Sequence, residues 1–227
     1  MPKKHLKIKI NQDLIISHDK YDKVLIFSHG LGDEPSSWIF FANEIKKEIN
    51  NIKIILTKAP DRKVSVNNGM EMPSWFDIKK IPIETNNNES YDFIDDSINN
   101  INKIVNNELK NNIFPTRIFL GGFSQGASLS LICGLNYGIE LGGIIMFSGW
   151  LLKNYLNFNN LNKINSPIFI GHGNKDNIVK YENMKVLYDL LDPKMSKMTF
   201  KTYDNMNHSV SMKERYDSIK WLKNIIY

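Results

Sequence analysis

The stretch Gly122-Phe123-Ser124-Gln125-Gly126 decides how the rest of the chain is read. Before it, Arg117-Ile118-Phe119-Leu120-Gly121 has the length and apolar content of a short buried strand. After it, Ala127, Leu129, Leu131 and Ile132 mark an apolar segment of good helix formers. Strand, G-x-S-x-G and helix in that order describe a nucleophile elbow, a sharp turn that lifts one serine clear of its surroundings. The glycines have a physical reason, since a side chain at either flanking position would strike the neighbouring strand or helix. The serine hydroxyl then stands at a helix N-terminus, whose dipole favours a developing oxyanion. A glycine-rich turn with an incidental serine has the same five letters, so the reading depends on what else the chain supplies.

Outward from the elbow, strands and helices alternate. Val24-Leu25-Ile26-Phe27 is a short apolar run feeding the loop Ser28-His29-Gly30-Leu31-Gly32-Asp33. Ser37 to Ile49 reads as a helix and Lys53 to Leu56 as a strand. Ile94, Ile98, Ile101, Val105 and Leu109 recur at helical spacing within an asparagine-rich region from Asn86 to Asn112. Later strands are predicted at Leu141 to Phe147, Pro167 to His172 and Met198 to Tyr203. A helix from Tyr181 to Leu191 carries Met184, Leu187 and Tyr188, and the last helix uses Met212, Tyr216, Ile219, Leu222 and Ile226.

At the N-terminus Leu6, Ile8 and Ile10 alternate with lysines before Leu14-Ile15-Ile16, which predicts an edge hairpin within residues 1–20. The expected architecture is α/β: a mostly parallel central sheet with helices on both faces, in one domain over 1–227. Residues 58–83 show little periodicity and are broken by Pro60, Gly69, Pro73 and Pro82. Met70, Met72, Trp75 and Phe76 are too apolar to leave in water, so this segment packs on the core or lines a cleft. Exposed, it could serve as a lid, a weak homodimer contact or a membrane-touching edge.

Composition narrows the function. The 227 residues are 42% hydrophobic, enough for a full core, with a formal net charge of +5. No Lys/Arg block alternates with aromatics, so a nucleic-acid partner has no support. Met1 to Lys7 lacks an apolar signal core, and no apolar run reaches membrane-spanning length. The single cysteine, Cys133, lies in an apolar helical stretch and reads as a buried structural thiol. These features predict a soluble, cytoplasmic protein with at most transient peripheral membrane contact. Neither an H-E-x-x-H, an EF-hand loop, a P-loop nor a dinucleotide fingerprint is present, so neither metal nor cofactor is expected.

A serine nucleophile needs a base to take its proton and an acid to orient that base. Of five histidines, only His172 and His208 follow Ser124. His208 comes directly after the last predicted strand, where residues beyond the carboxyl ends of parallel strands share one edge with the elbow. His172 also ends a strand, but its loop offers Asp176 as the orienting acid; Asp189, Asp192 and Asp204 are weaker candidates. His172 and His29 are expected to shape their loops. The order Ser, Asp, His fits the elbow. Two backbone donors must converge on the oxyanion: the N–H of Gln125 and, from the earlier glycine-rich loop, the N–H of Leu31.

Taken together, His29-Gly30-Leu31-Gly32-Asp33, Met72-Pro73-Ser74-Trp75-Phe76-Asp77, Gly121 to Gly126, Phe147-Ser148-Gly149-Trp150-Leu151 and Gly171-His172-Gly173 with Asp176 run in a known order. With Phe200-Lys201-Thr202-Tyr203, Met206 and His208-Ser209, they make the chain resemble the acyl-protein thioesterase family, in the lysophospholipase/carboxylesterase group of small α/β-hydrolases. The resemblance implies an α/β-hydrolase fold, a Ser124–His208–Asp176 triad and oxyanion donors at Leu31 and Gln125. It implies no cofactor, and an apolar acyl channel walled by Leu31, Met72, Trp75, Trp150 and Ile178. For Trp75, core packing is an equal alternative. The implied substrates are long-chain acyl thioesters on protein cysteines, with lysophospholipids or small carboxylic esters as the alternative. A silent binder of hydrophobic ligands is a third reading. Asn177 stands where the family has proline, and Ala127 and Asn205 stand where it has glycine.

Overall fold

The structure, a computed structural model, describes residues 7–10, 12–83, 90–157, 165–191 and 197–227. Leu6, Asp192 and the start of the asparagine-rich region, residues 86–89, lie outside them. In chain order the first strands are β1 (Lys7–Ile10), β2 (Asp13–Ser17), β3 (Lys23–Ser28) and β4 (Ile52–Thr57). A two-stranded ribbon follows, β5 (Asp61–Val64) and β6 (Met70–Pro73), and then β7 (Ile118–Phe123), β8 (Gly143–Phe147), β9 (Ile168–Gly173) and β10 (Met198–Tyr203). The helices are α1 (Ile39–Glu48), α2 (Ile94–Lys110), α3 (Gln125–Asn136), α4 (Tyr181–Leu191) and α5 (Met212–Ile226).

Among the described residues, eight strands form one sheet in the order β1-β2-β4-β3-β7-β8-β9-β10. β1, β2 and β4 pair antiparallel in turn, and the others pair parallel. This is the expected α/β architecture with its N-terminal hairpin at the edge. The two-residue period of a strand divides the core. Val24 and Ile26 of β3 pack with α2, α3 and α4 residues on one face, through Ile101, Val105, Leu129, Met184 and Leu187. Leu25 and Phe27 pack with α1 and α5 on the other, through Phe41, Ile45, Ile219 and Leu222. Each such side chain fully removed from water is worth about 1.5–3 kcal/mol, and both faces of the central strands gain it.

Two expectations need correction. The 58–83 segment holds the β5–β6 ribbon, with Met70 64% exposed beside its turn, while Trp75 and Phe76 are buried. The ribbon gave no periodic signal because it is two-stranded and mostly exposed or half-exposed. On α5, Met212 and Tyr216 point to solvent, and the inward face is Glu214, Ser218, Ile219, Leu222 and Ile226. Polar residues on that inward face broke the apolar period. No helix among the described residues is long and apolar enough to cross a membrane.

Candidate active site

Ser124 joins β7 to α3 with φ +52° and ψ −118°, a left-handed conformation that non-glycine residues avoid. The close packing around it explains the glycines. A Cβ at Gly126 would lie 2.1 Å from the Ser28 carbonyl oxygen at the end of β3, and one at Gly122 would lie 2.4 Å from the Gly126 carbonyl carbon. The elbow therefore rests directly on β3 and its own helix, and Ser124 is only 7% exposed.

The loops after β9 and β10 bring Asp176 and His208 to this point. His208 Nε2 stands 2.8 Å from Ser124 Oγ, and its Nδ1 stands 2.7 Å from Asp176 Oδ2. Asp176 Oδ1 accepts the N–H groups of Ile178 and Val179, both at 2.9 Å. His172 lies behind. Its Nε2 is 2.7 Å from the Val179 carbonyl, which can only accept, so Nε2 carries the proton. The same nitrogen lies 3.2 Å from Asp176 Oδ2. Burial pushes the Asp176 carboxyl up, but the bonds from His172, His208 and Val179 outweigh it and hold the carboxyl below the usual carboxylate range. Asn205, in the loop before His208, has φ +56°, so asparagine here takes the left-handed turn that glycine would otherwise supply.

The glycine-rich loop after β3 is pinned on both sides of Leu31. Gly32 N–H donates to the Pro73 carbonyl at 2.8 Å, and Asp33 N–H donates to the Gly30 carbonyl at 3.2 Å. Leu31 N–H has no acceptor among the described residues. Gln125 N–H belongs to the first turn of α3, where a helix provides no internal acceptor. His29 fixes the same loop: its Nδ1 lies 2.7 Å from the Gly30 carbonyl, and its Nε2 accepts Ala59 N–H at 3.1 Å. Those roles require neutral imidazole, and burial holds its pKa down.

A cavity of about 340 Å³ opens beside Ser124 and His208, walled by Leu31, Ile78, Ile83, Trp150, Ile178 and Val179. Three of the five expected channel residues, Leu31, Trp150 and Ile178, line it. Met72 and Trp75 do not. Met72 stands against Gly32, outside the cavity. Trp75 is 1% exposed and serves as a buried crosslink. Its indole N–H donates to the His29 carbonyl at 2.8 Å, its backbone N–H to Gln125 Oε1 at 2.9 Å, and its carbonyl accepts from Ser97 Oγ. Gln125 Nε2 completes the junction by donating to the Phe76 carbonyl at 2.6 Å and to Ser74 Oγ at 3.2 Å.

Sequence reasoning missed three contributors: the Gln125 side chain, the His172 bond to Asp176, and Glu214. Glu214 is fully buried on α5, and a Cβ at Gly171 would lie 2.3 Å from its Oε1. Burial pushes its carboxyl up to about 8, and the nearby Asp176 and Asp217 add to that, against the Ser211 backbone and Arg215. The one sequence signal was Ser211-Met212-Lys213-Glu214, a helix-start pattern; Ser211 Oγ does accept Glu214 N–H at 3.1 Å. The carboxyl, however, turns inward.

A parallel sheet with a strained serine at the strand-to-helix turn, and with histidine and aspartate delivered by later strand ends, defines the α/β-hydrolase class. The phospholipase/carboxylesterase family matches residues 11–226, and the chain belongs to that family of hydrolases. It is 34% identical over 205 residues to acyl-protein thioesterase 1 of Yarrowia lipolytica, spanning 88% of this chain and 90% of the relative. It is 36% identical over 218 residues to acyl-protein thioesterase 1 homolog 1 of Dictyostelium discoideum, spanning 94% of each. The crystal structure of Arabidopsis thaliana SOBER1 superposes with a TM-score of 0.81 at 27% identity, covering 90% of this chain and 99% of that one.

Proposed function

We propose that this hydrolase removes long-chain acyl groups from protein cysteines by cleaving their thioesters. The observation that carries the reading is the Ser124–His208–Asp176 relay, at 2.8 and 2.7 Å, opening on a cavity with an apolar wall. Ser124 Oγ attacks the thioester carbonyl as His208 Nε2 takes its proton, and Asp176 stabilises the imidazolium. Leu31 N–H and Gln125 N–H receive the oxyanion. Collapse breaks the C–S bond, the electron pair goes to sulfur, and His208 returns its proton there. Water then attacks the acyl-enzyme with His208 again as base, releasing the fatty acid and restoring Ser124.

The names of the Yarrowia and Dictyostelium relatives support the thioester as substrate, and the protein partners are then S-acylated proteins met in the cytoplasm. The test compares a long-chain acyl thioester peptide, a lysophospholipid with the same chain and a short ester, on wild type and Ser124→Ala. Highest kcat/KM on the thioester, abolished in Ser124→Ala, is the expected result. Preference for the lipid or the short ester would keep the mechanism and replace the substrate.

A further inference from the structure

His208 stands between two spaces. One is the apolar cavity onto which Ser124 opens. The other, about 280 Å³, lies beyond the Phe123–His208 ring pair, whose centroids are 4.9 Å apart. The two share Asp33, Phe123 and His208, so they adjoin at the imidazole. The second has a different wall: Ser37, Trp38, Phe40, Ser209 and Arg215.

Acyl transfer gives each space a task. The acyl chain must extend from the carbon bonded to Ser124 Oγ, and the departing atom must lie within reach of the proton on His208. With the apolar cavity taken by the chain, the departing group projects past His208. Charge in the second space is unbalanced. Arg215 is answered by Glu44, with Nε 2.9 Å from Oε2, and its guanidinium lies over the Phe40 ring at 5.2 Å. The Asp33 carboxylate accepts Glu34 N–H at 2.7 Å, Ser37 Oγ at 2.6 Å and Trp38 Nε1 at 2.9 Å. All three are neutral donors, and Asp33 has no ion-pair partner among the described residues.

We propose that the second cavity is the leaving-group site, and that it favours peptides with a lysine or arginine beside the acylated cysteine, held by Asp33 and the aromatic wall. This deepens the thioester reading given above and rests on it. The site adds no chemistry of its own. It orients the sulfur toward His208 and attracts a cation to a carboxylate that no cation pairs among the described residues.

Octanoyl thioester peptides with Lys, Ala or Glu next to the acyl-cysteine provide the test. All yield the same acyl-enzyme, so selection must appear in kcat/KM and in single-turnover acylation, and not in deacylation. The expected order is Lys, Ala, Glu, with about three- to tenfold between the extremes, narrowing at high salt. Asp33→Asn should erase the order. Ser37→Lys, a change at an exposed position, should reverse it even if Asp33→Asn fails to fold. Equal rates for the three peptides, or an order unchanged in both variants, overturn the proposal. If no thioester is cleaved while p-nitrophenyl octanoate is, the thioester reading has failed. The site is then judged on lysophospholipids of one chain with choline or anionic glycerol headgroups, and no choline preference overturns it there too.

Discussion

Replacing Glu214 with glutamine should flatten a fall in stability that the wild-type protein shows as pH rises above about 5. The Glu214 carboxyl is fully buried, and neither of its oxygens has a hydrogen-bond partner among the described residues. Burial, with smaller contributions from Asp176 and Asp217, raises it from 4.5 to about 8, while the nearby Ser211 backbone and Arg215 pull the other way. The sign follows from proton counting. Between those two values the unfolded chain releases a proton that the folded protein keeps, so raising pH favours unfolding. Below 4.5 both states are protonated and the group adds no pH dependence; above about 8 the full cost is present. At about 1.36 kcal/mol per pH unit, the interval from about pH 5 to about pH 8 is worth about 4 kcal/mol.

Two other groups titrate nearby. Burial raises Asp13 to about 6, which acts in the same direction, and burial lowers His29, which adds stability as pH rises toward its ordinary value of 6.5. Both are untouched by the substitution and cancel in the difference. Urea unfolding of the two proteins at several pH values measures that difference. It should move by about 3–4 kcal/mol in favour of Glu214→Gln between about pH 5 and about pH 8. A pH-independent offset superposed on that movement would reflect only the packing of the amide. Parallel curves would refute the reasoning, because they would mean that the carboxyl ionises in the fold at its ordinary pH.

Other variants probe the supports of the serine. Gln125→Leu keeps the backbone N–H but strands the Trp75 backbone N–H and removes the donor to the Phe76 carbonyl and Ser74 Oγ; a loss of about 2–4 kcal/mol in urea unfolding is expected. Gly126→Ala forces a Cβ to 2.1 Å from the Ser28 oxygen, so the protein should fail to fold or lose more than about 10 °C in Tm. A wild-type Tm would contradict the packing described for the elbow. His172→Phe removes one of the bonds that hold Asp176 ionised. That depressed carboxyl stabilises the fold fully above its unfolded value of 3.8 and loses the contribution as pH falls through its lower folded value, so the loss should be about 1–3 kcal/mol at neutral pH and shrink only below about pH 3. Unfolding at both pH values checks it.

The central sheet was legible because parallel strands buried on both faces spell continuous apolar runs, as in Val24 to Phe27 and Ile118 to Leu120. The meeting of Ser124, Asp176 and His208 was legible for a topological reason: each follows a parallel strand, and the ends of such strands share one edge. What escaped was whatever depends on the direction of a side chain. Trp75 and Met72 carry the apolar character of a channel wall, but hydrogen bonds to the elbow and packing on Gly32 turn them elsewhere. Glu214 and Ser218 hid the inward face of α5, since no periodicity rule expects a buried acid to define a core stripe. The β5–β6 ribbon buries too little to leave a pattern.

The contact between Gln125 and the Ser74–Phe76 segment joins residues 49 to 51 positions apart into a single keystone. One residue thus sets its backbone directly after Ser124 and gives its side chain to the segment that follows the ribbon. Recombination that imports a foreign ribbon from a distant homologue, to alter what the surface meets, must bring a matching partner for position 125. Otherwise the graft arrives unanchored and disturbs the serine from behind. For anyone building chimaeras of this enzyme, the natural cut points lie outside Asp61 and Asp77, and the heritable module is the ribbon together with its anchor.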